Sequence, residues 1–447
     1  MQTRAPQRIQ LGRSESRRFL FAAIGSLGDL HPCLALGLEL RRRGHQVTVA
    51  SNEAYRKKVE AHELSFRALR PSWDPTDQEL IRQCEDLRTG PEVLYRKLIL
   101  PHLRDTYEDL LSACREADLM IAGELVYAAP LVAEKVGLPW ISSILSPSSF
   151  FSSYDPSVLV TVPSLIRLRK AGRLVYRAGL NVCRLATNHW SNPVQRLRRE
   201  LGLQTECDPV FRDKFSPHLV LALFSKLLAQ PQPDWPSQTI QPGFVYYDHD
   251  GHGPELTEFL ASGEPPIVFT LGSTAVHHPG DFYEASMKAA HQLGRRAVML
   301  GANTASRQLT PQILALPYAP YAKVFCHAAV IVHQGGSGTT GQALRAGKPM
   351  LFVPYGWDQP DNAARVERLG IGLSLSRKAY SAPSAAAALQ RLLAESDFAS
   401  RAAEVAMQVR QEDGLSVACD AIELVLKKAP GTRTNRHGAS GLAVISS

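Results

Sequence analysis

Three consecutive β-branched residues, Val330-Ile331-Val332, lead through His333-Gln334 into Gly335-Gly336-Ser337-Gly338-Thr339 and then into helix-forming sequence over 340–345. A short apolar run of this kind reads as a strand buried on both faces, and a glycine turn opening directly into a helix returns the chain for the next parallel strand. Such a chain is α/β. The turn also carries chemistry. Gly335, Gly336 and Gly338 lack Cβ atoms, so they can adopt positive φ and let an anion approach backbone N–H groups at a helix N-terminus. Three glycines alone suit a plain connection equally well, and no Gly-Lys-Ser/Thr follows to make a Walker-type loop.

The surroundings narrow the reading. His333 ends the strand and is expected to face the same pocket, where Ser337 and Thr339 add hydroxyls. A second strand over 349–354 delivers Asp358 and Gln359, with Asn362 one turn further on. Together these groups can bond a diphosphate and several hydroxyls of a hexose.

The rest of the chain alternates in the same way. Strands are expected at 19–24, 46–50, 119–122 and 140–144, with a helix over 32–43 ending at Gly44. A Pro/Gly-rich stretch over 230–253 reads as a domain connection. A second sheet follows at 266–271, 297–300, 330–332 and 350–353, and helical sequence runs from 385 to 427. The 447 residues, 45% of them hydrophobic, suffice for two cores. The expected division is a basic disordered N-terminus at 1–17, one Rossmann-like domain at 18–235, a second at 236–428 and a disordered tail at 429–447. There are no repeats beyond the two similar halves.

No apolar stretch is long enough to cross a bilayer, and the first eighteen residues lack a secretory apolar core, so a cytoplasmic protein is expected. Seven scattered cysteines without a Cys-x-x-Cys pair fit reduced core fillers rather than disulfides or a zinc site. The net charge of +8 is concentrated in one helical stretch over 165–200, where arginines alternate with Leu165, Leu168, Leu174 and Leu180. Such a stretch suits peripheral contact with an anionic membrane or a solvated outer face, the second being the default. Nucleic acid is not implied.

The run from His333 to Asn362 resembles the donor-site signature of the family 1, Leloir-type glycosyltransferases. The similarity extends over roughly 18–427 and is greatest to sterol 3-β-glucosyltransferases, bacterial antibiotic glycosyltransferases and the rhamnolipid rhamnosyltransferase. The resemblance implies the GT-B fold, two doubly wound parallel-sheet domains facing across a cleft. It also implies inverting transfer of a hexose from a nucleotide diphosphate sugar, UDP-glucose-like or a dTDP-sugar, to an acceptor hydroxyl. No cofactor is required, the nucleotide sugar being a co-substrate. By the same resemblance His333 contacts the diphosphate, the Ser337-Gly338-Thr339 turn holds the phosphates, and Asp358 and Gln359 bond the sugar.

The first βα turn is Gly25-Ser26-Leu27-Gly28-Asp29-Leu30-His31-Pro32. Its default reading is structural, although Gly28 is counted with the donor-binding set. Asp29 would repel a diphosphate, yet a carboxylate at the cleft mouth suits a general base, and it matches the Asp form of the family's Gly-Asp-x-x-Pro. An aspartate base of ordinary pKa works only as charge develops in the transition state. His31, with an unperturbed pKa nearer neutrality, is the competing base. In the second half, Ser273 follows a strand as an ordinary loop residue would, and the resemblance implies that its hydroxyl reaches the phosphates. Tyr318 and Pro320 lie where relatives have Trp-x-Pro-Gln around the base, with Tyr321 in place of the Gln. Gly341 stands where plant-type members have a Glu for the ribose. Asp248-His249-Asp250 with His252 resembles a metal-binding Asp-x-Asp, but its place in a Pro/Gly connection reads as a solvated loop, and no metal is assigned.

The acceptor side is expected among Trp73, Leu94, Tyr95, Val126, Tyr127, Phe150, Phe151 and Tyr154, a set suited to a hydrophobic lipid, sterol-like or aromatic acceptor, or else to core. Two other functions remain open: a non-catalytic nucleotide-sugar-binding subunit, and a sugar-nucleotide epimerase on the same fold.

Overall fold

The computed structural model describes residues 15–248, 254–301 and 307–428. The expected tail at 429–447 lies outside them, as does the expected N-terminal segment as far as residue 14. Two seven-stranded sheets are formed among the described residues. The first contains β1 (Arg18–Ala22), β2 (Gln46–Ser51), β3 (Ser65–Ala68), β4 (Leu119–Gly123), β5 (Trp140–Ile144), β6 (Val220–Ala222) and β7 (Thr239–Ile240). Its order is β3-β2-β1-β4-β5-β6-β7, parallel throughout. The second contains β8 (Ile267–Thr270), β9 (Ala297–Leu300), β10 (Arg307–Thr310), β11 (Ile313–Leu316), β12 (Val330–His333), β13 (Met350–Phe352) and β14 (Gly372–Ser374). Its order is β10-β11-β9-β8-β12-β13-β14, with only β10 against β11 antiparallel. Val330, Ile331 and Val332 are fully buried, as a central strand covered on both faces requires.

Strand order reverses between β1 and β4 in the first sheet and between β8 and β12 in the second. In open parallel sheets the loops at the carboxyl ends of such switch strands diverge and leave a crevice. The Gly25, Glu124, Ser273 and Gly335 turns stand at these ends, so topology alone places them at the two candidate ligand crevices.

Several boundaries differ from those read in the sequence. The first helix spans Leu27–Arg42, five residues earlier than expected, because Ser26 caps it and Pro32 is accommodated inside it. The helix after β12 spans Ser337–Ala346 rather than 340–345. The basic stretch is not one helix: a 3₁₀ segment, Pro163–Ala171, is followed by helices Arg173–Thr187 and Asn192–Glu200. Strand β7 lies beyond the 235/236 junction yet pairs with β6. Helix Gly414–Lys428, counted with the second half, returns to the first, burying Ala418, Cys419 and Ile422 with Leu34, Leu36 and Leu40. Composition marked the connection but not this exchange, which is a long-range contact.

The halves are joined by a buried charge network. Arg365, on helix Gln359–Arg368, is 2% exposed. Its guanidinium donates to Asp361 at 2.7 Å, to Ser157 Oγ and the Leu228 carbonyl at 3.0 Å each, and to Asp155. Asp361 in turn accepts from the Val158 amide at 2.8 Å. Every carboxylate in the cluster is thereby hydrogen-bonded, the condition under which buried charge is tolerated.

Candidate active site

The turn after β12 depends on Gly335, whose φ is 98°. A Cβ there would also meet Phe352 at 3.0 Å and the Gln359 carbonyl at 3.1 Å. Gly336 is the N-cap with φ −60° and Gly338 lies inside the helix, so of the three glycines only Gly335 uses the freedom of positive φ. No side chain caps helix Ser337–Ala346. Its first-turn N–H groups and the positive end of its dipole therefore face the crevice, as an anion site requires.

His333 does not stand in the pocket as expected. Its ring is fully buried against Phe352, with 4.5 Å between centroids, and Nδ1 accepts from the Gly335 amide at 3.1 Å. Burial depresses its pKa to about 3, so the ring is neutral and Nε2 carries the proton. That Nε2–H is buried without a hydrogen-bond partner among the described residues. His333 thus fixes the turn from beneath.

Ser337, Asp358 and Asn362 form one cluster. Ser337 Oγ donates to Asp358 Oδ2 at 2.7 Å, and Asn362 Nδ2 donates to the same oxygen at 2.8 Å and to the Gly335 carbonyl at 2.9 Å. Loss of water raises the Asp358 pKa, against the lowering effect of these bonds. Gln359 has another duty than the expected one. Its Oε1 accepts from the amides of Tyr355 (2.7 Å) and Gly356 (3.1 Å), which shapes the loop before Asp358. Within that loop Trp357 has φ 60°, a left-handed conformation rare for a bulky residue and typical of sites held by their surroundings.

Ser273 follows β8 at the neighbouring switch strand. Between its turn and the Gly336 turn lies Gln334, buried, with Oε1 unpartnered among the described residues; a Cβ on Gly272 would meet its Nε2 at 2.0 Å. The sequence motif contained Gln334 but gave no reason to single it out. Thr339 is buried and turned to Tyr321, whose hydroxyl also meets Thr270 Oγ1 at 3.0 Å, so Tyr321 braces the carboxyl end of the central strand β8 instead of replacing a base-reading Gln. Tyr318 is exposed at 53%, and Pro320 caps the short helix Tyr321–Val324. Gly341 lies under Phe244, where a Cβ would come within 2.7 Å of the ring, so packing excludes the plant-type Glu. Asp248 is engaged by Arg345 (2.7 and 2.9 Å) and Gln342 (3.0 Å). His249, Asp250 and His252 lie outside the described residues.

In the first half, Ser26 Oγ accepts from the Gly28 amide at 3.1 Å and Asp29 Oδ2 accepts from the Ser26 amide at 2.8 Å, a capping box. Gly25, φ 141°, permits it, because a Cβ would lie 2.1 Å from Asp29 Oδ2. This helix end is closed by its own carboxylate, which leaves Gly28 no role like that of the open turn in the other half. Loss of water raises the Asp29 pKa to about 7, the Ser26 bonds opposing and the Glu124 and Asp358 carboxylates adding to the rise. Oδ1 has no hydrogen bond among the described residues. Two residues on, His31 lies about 200° round the helix, where its ring stacks on Tyr247 at 4.6 Å.

Glu124 was not singled out from sequence, though its place just after β4 was the available signal. Its Oε2 accepts from Lys214 Nζ at 3.1 Å and its Oε1 from Ser149 Oγ at 3.0 Å. Its negative charge adds to the rise in pKa of both Asp29 and Asp358, which puts carboxylates of the two halves within electrostatic reach of one another.

The aromatic set divides. Leu94, Val126 and Tyr127 form a cluster with Trp73, Tyr95 and, from the other half, Trp357. Phe150 instead belongs to the core joining the halves, stacked on Trp235 at 4.0 Å. Phe151, φ 50°, lies with its ring 5.0 Å from Lys214 Nζ, and Tyr154 is 46% exposed. None of the seven cysteines forms a disulfide; Cys326 is exposed, not a core filler.

Residues 19–150 match the glycosyltransferase family 28 N-terminal domain, and residues 287–422 match the erythromycin biosynthesis protein CIII-like, C-terminal domain. The chain is 33% identical to the O-mycaminosyltylonolide 6-deoxyallosyltransferase of Streptomyces fradiae, over 94% of its own length and 99% of the relative's. It is 29% identical to the sterol 3-beta-glucosyltransferase of Neurospora crassa over 92% of its length, spanning 27% of that longer protein. Among solved structures it is similar to a spinosyn rhamnosyltransferase complexed with thymidine diphosphate, with a TM-score of 0.65, 16% identity and coverage of 91% and 100% of the two chains. The chain belongs to the GT-B glycosyltransferases.

Proposed function

We propose that the protein transfers a hexose from a UDP- or dTDP-sugar to a hydroxyl of a hydrophobic acceptor, with inversion at the anomeric carbon. One observation carries this reading: the Asp29 carboxylate of one half stands within electrostatic reach of Asp358, which the other half holds with Ser337 and Asn362 beside an uncapped helix N-terminus. The diphosphate binds at the first-turn amides of helix Ser337–Ala346 with the Ser273 hydroxyl, and the sugar beside Asp358. Asp29 Oδ1 takes the proton of the acceptor hydroxyl. The acceptor oxygen then bonds to the anomeric carbon as the bond to the diphosphate oxygen breaks, and the helix dipole stabilises the departing charge.

The raised pKa of Asp29 removes the difficulty of an aspartate base, since a base near 7 matches neutral working pH. The stacking of His31 on Tyr247, away from Asp29, favours Asp29 for that role. The thymidine diphosphate in the similar rhamnosyltransferase supports the donor class, and the names of the Streptomyces and Neurospora relatives support a hydrophobic acceptor. The test is a panel of UDP- and dTDP-sugars measured by protection against thermal unfolding, followed by acceptor-dependent release of the nucleotide. Protection by none sinks the donor assignment. Protection with no acceptor-dependent release favours a binding subunit or an epimerase.

A further inference from the structure

Helix Arg173–Thr187 buries one face and leaves a second apolar face in solvent. Tyr176 and Leu180 pack inward with Leu165 of the 3₁₀ segment Pro163–Ala171, forming a small cluster of their own. On the outside, Leu174 is 70% exposed, Val182 65% and Leu185 75%. At about 100° per residue these three fall within roughly 80° of one another on the side away from Tyr176. Arg173, Arg177 and Arg184 line one edge of this stripe.

The charge is as one-sided as the hydrophobicity. Residues 156–199 contain nine Lys and Arg and no Asp or Glu, more positive charge than the whole chain's net +8. Arg184 and Arg198 are engaged by Asp208 and Glu134. Arg167, Arg169, Lys170 and Arg177 are exposed, with no ion-pair partner among the described residues. Single exposed leucines are ordinary, but an apolar stripe edged by arginines, with further cations beside it that have no ion-pair partner among the described residues, is the pattern of a helix lying in a lipid interface.

We infer that this hairpin docks the protein on an anionic bilayer, Leu174, Val182 and Leu185 entering the acyl boundary while the arginines hold lipid phosphates. A two-fold contact with a second copy is disfavoured, since it would bring the same arginines face to face. The helix, about 22 Å long, is too short to span and lies flat; no helix among the described residues is long and apolar enough to cross a membrane. The hairpin is rooted beside the cleft. Phe151 packs against its cluster and lies 5.0 Å from Lys214 Nζ, which holds Glu124, while Arg173 stacks 4.2 Å over Tyr154. On the function proposed above, a hydrophobic acceptor enters from that bilayer; the docking itself stands without that reading.

The test is co-sedimentation of the full chain with phosphatidylcholine vesicles, with and without about 30 mol% phosphatidylglycerol. Binding is expected to the anionic vesicles only, to weaken with salt, and to fall at least about tenfold in Leu174→Ser/Val182→Ser/Leu185→Ser and in Arg167→Glu/Arg177→Glu. Thermal protection by the sugar nucleotide should be unchanged in both variants, so loss of the donor reading and loss of the docking are seen separately. Equal binding to neutral vesicles, no binding to either, or triple-variant binding like the parent's would overturn the proposal. So would a parent dimer in light scattering that the triple variant abolishes while vesicle binding persists.

Discussion

Ser337 Oγ and Asp358 Oδ2 lie 2.7 Å apart, and this one hydrogen bond ties the helix end proposed for the diphosphate to the loop proposed for the sugar. The two halves of a sugar nucleotide would be held by groups that hold each other, so their separate contributions can be measured.

Replacement of Asp29 by Asn keeps an oxygen to cap the Ser26 amide but removes proton acceptance. Transfer should fall at least about a hundredfold with donor affinity little changed. In the parent, the active carboxylate form grows as pH rises, so kcat/KM should show an acid limb near pH 7 that the variant lacks. The stability effect has the opposite sense. A carboxyl whose folded pKa is raised favours the fold below its unfolded pKa and loses that contribution as pH rises through about 7. The Asn variant should therefore be stabilised relative to the parent above pH 7. Near-normal turnover of this variant, with loss in His31→Ala, would move the base to His31.

His333→Ala removes the acceptor that orients the Gly335 amide and should weaken binding of UDP or dTDP itself by roughly tenfold. Asp358→Ala should leave the free nucleotide alone and weaken the intact sugar nucleotide. Isothermal titration separates these outcomes, and equal nucleotide and sugar-nucleotide affinities in parent and both variants would remove the donor assignment.

Transfer should survive EDTA, because backbone amides and the helix dipole are asked to carry the leaving diphosphate. A single displacement should turn an α-linked donor into a β-glycoside, readable from the anomeric proton coupling of a glucoside. A retained anomer, or activity lost to EDTA and restored by manganese, would contradict this mechanism.

Arg365→Met should destabilise the protein by about 3–5 kcal/mol, because it strands the buried Asp361 carboxylate. Adding Asp361→Leu should recover part of the loss in urea unfolding. A single variant within about 1 kcal/mol of the parent would mean that the network is not structurally important.

What the sequence made legible was local. The β-branched run at Val330 declared a buried strand, and Asp358 could be placed beyond the next one. Pro32 misled, because it resembled a helix start while the capping box at Ser26 and Asp29 began the helix earlier. The burial of His333 and the use of Gln359 on its own loop depend on side-chain direction, which spacing does not report. Glu124 was missed because its significance comes from strand order, and the return of helix Gly414–Lys428 because nothing local encodes a contact nearly four hundred residues away in sequence.

Helix Gln359–Arg368 begins just after Asp358 and carries, seven residues beyond that aspartate, the guanidinium set into the opposite half. The helix therefore forms a ruler about 10 Å long, with one end at the loop proposed for the sugar and the other fastened to the body that carries Asp29. On the proposed function, the spacing between donor and acceptor chemistry is set by its length and seating. A change in how Arg365 sits would mistune the reaction while leaving each half's binding surface intact.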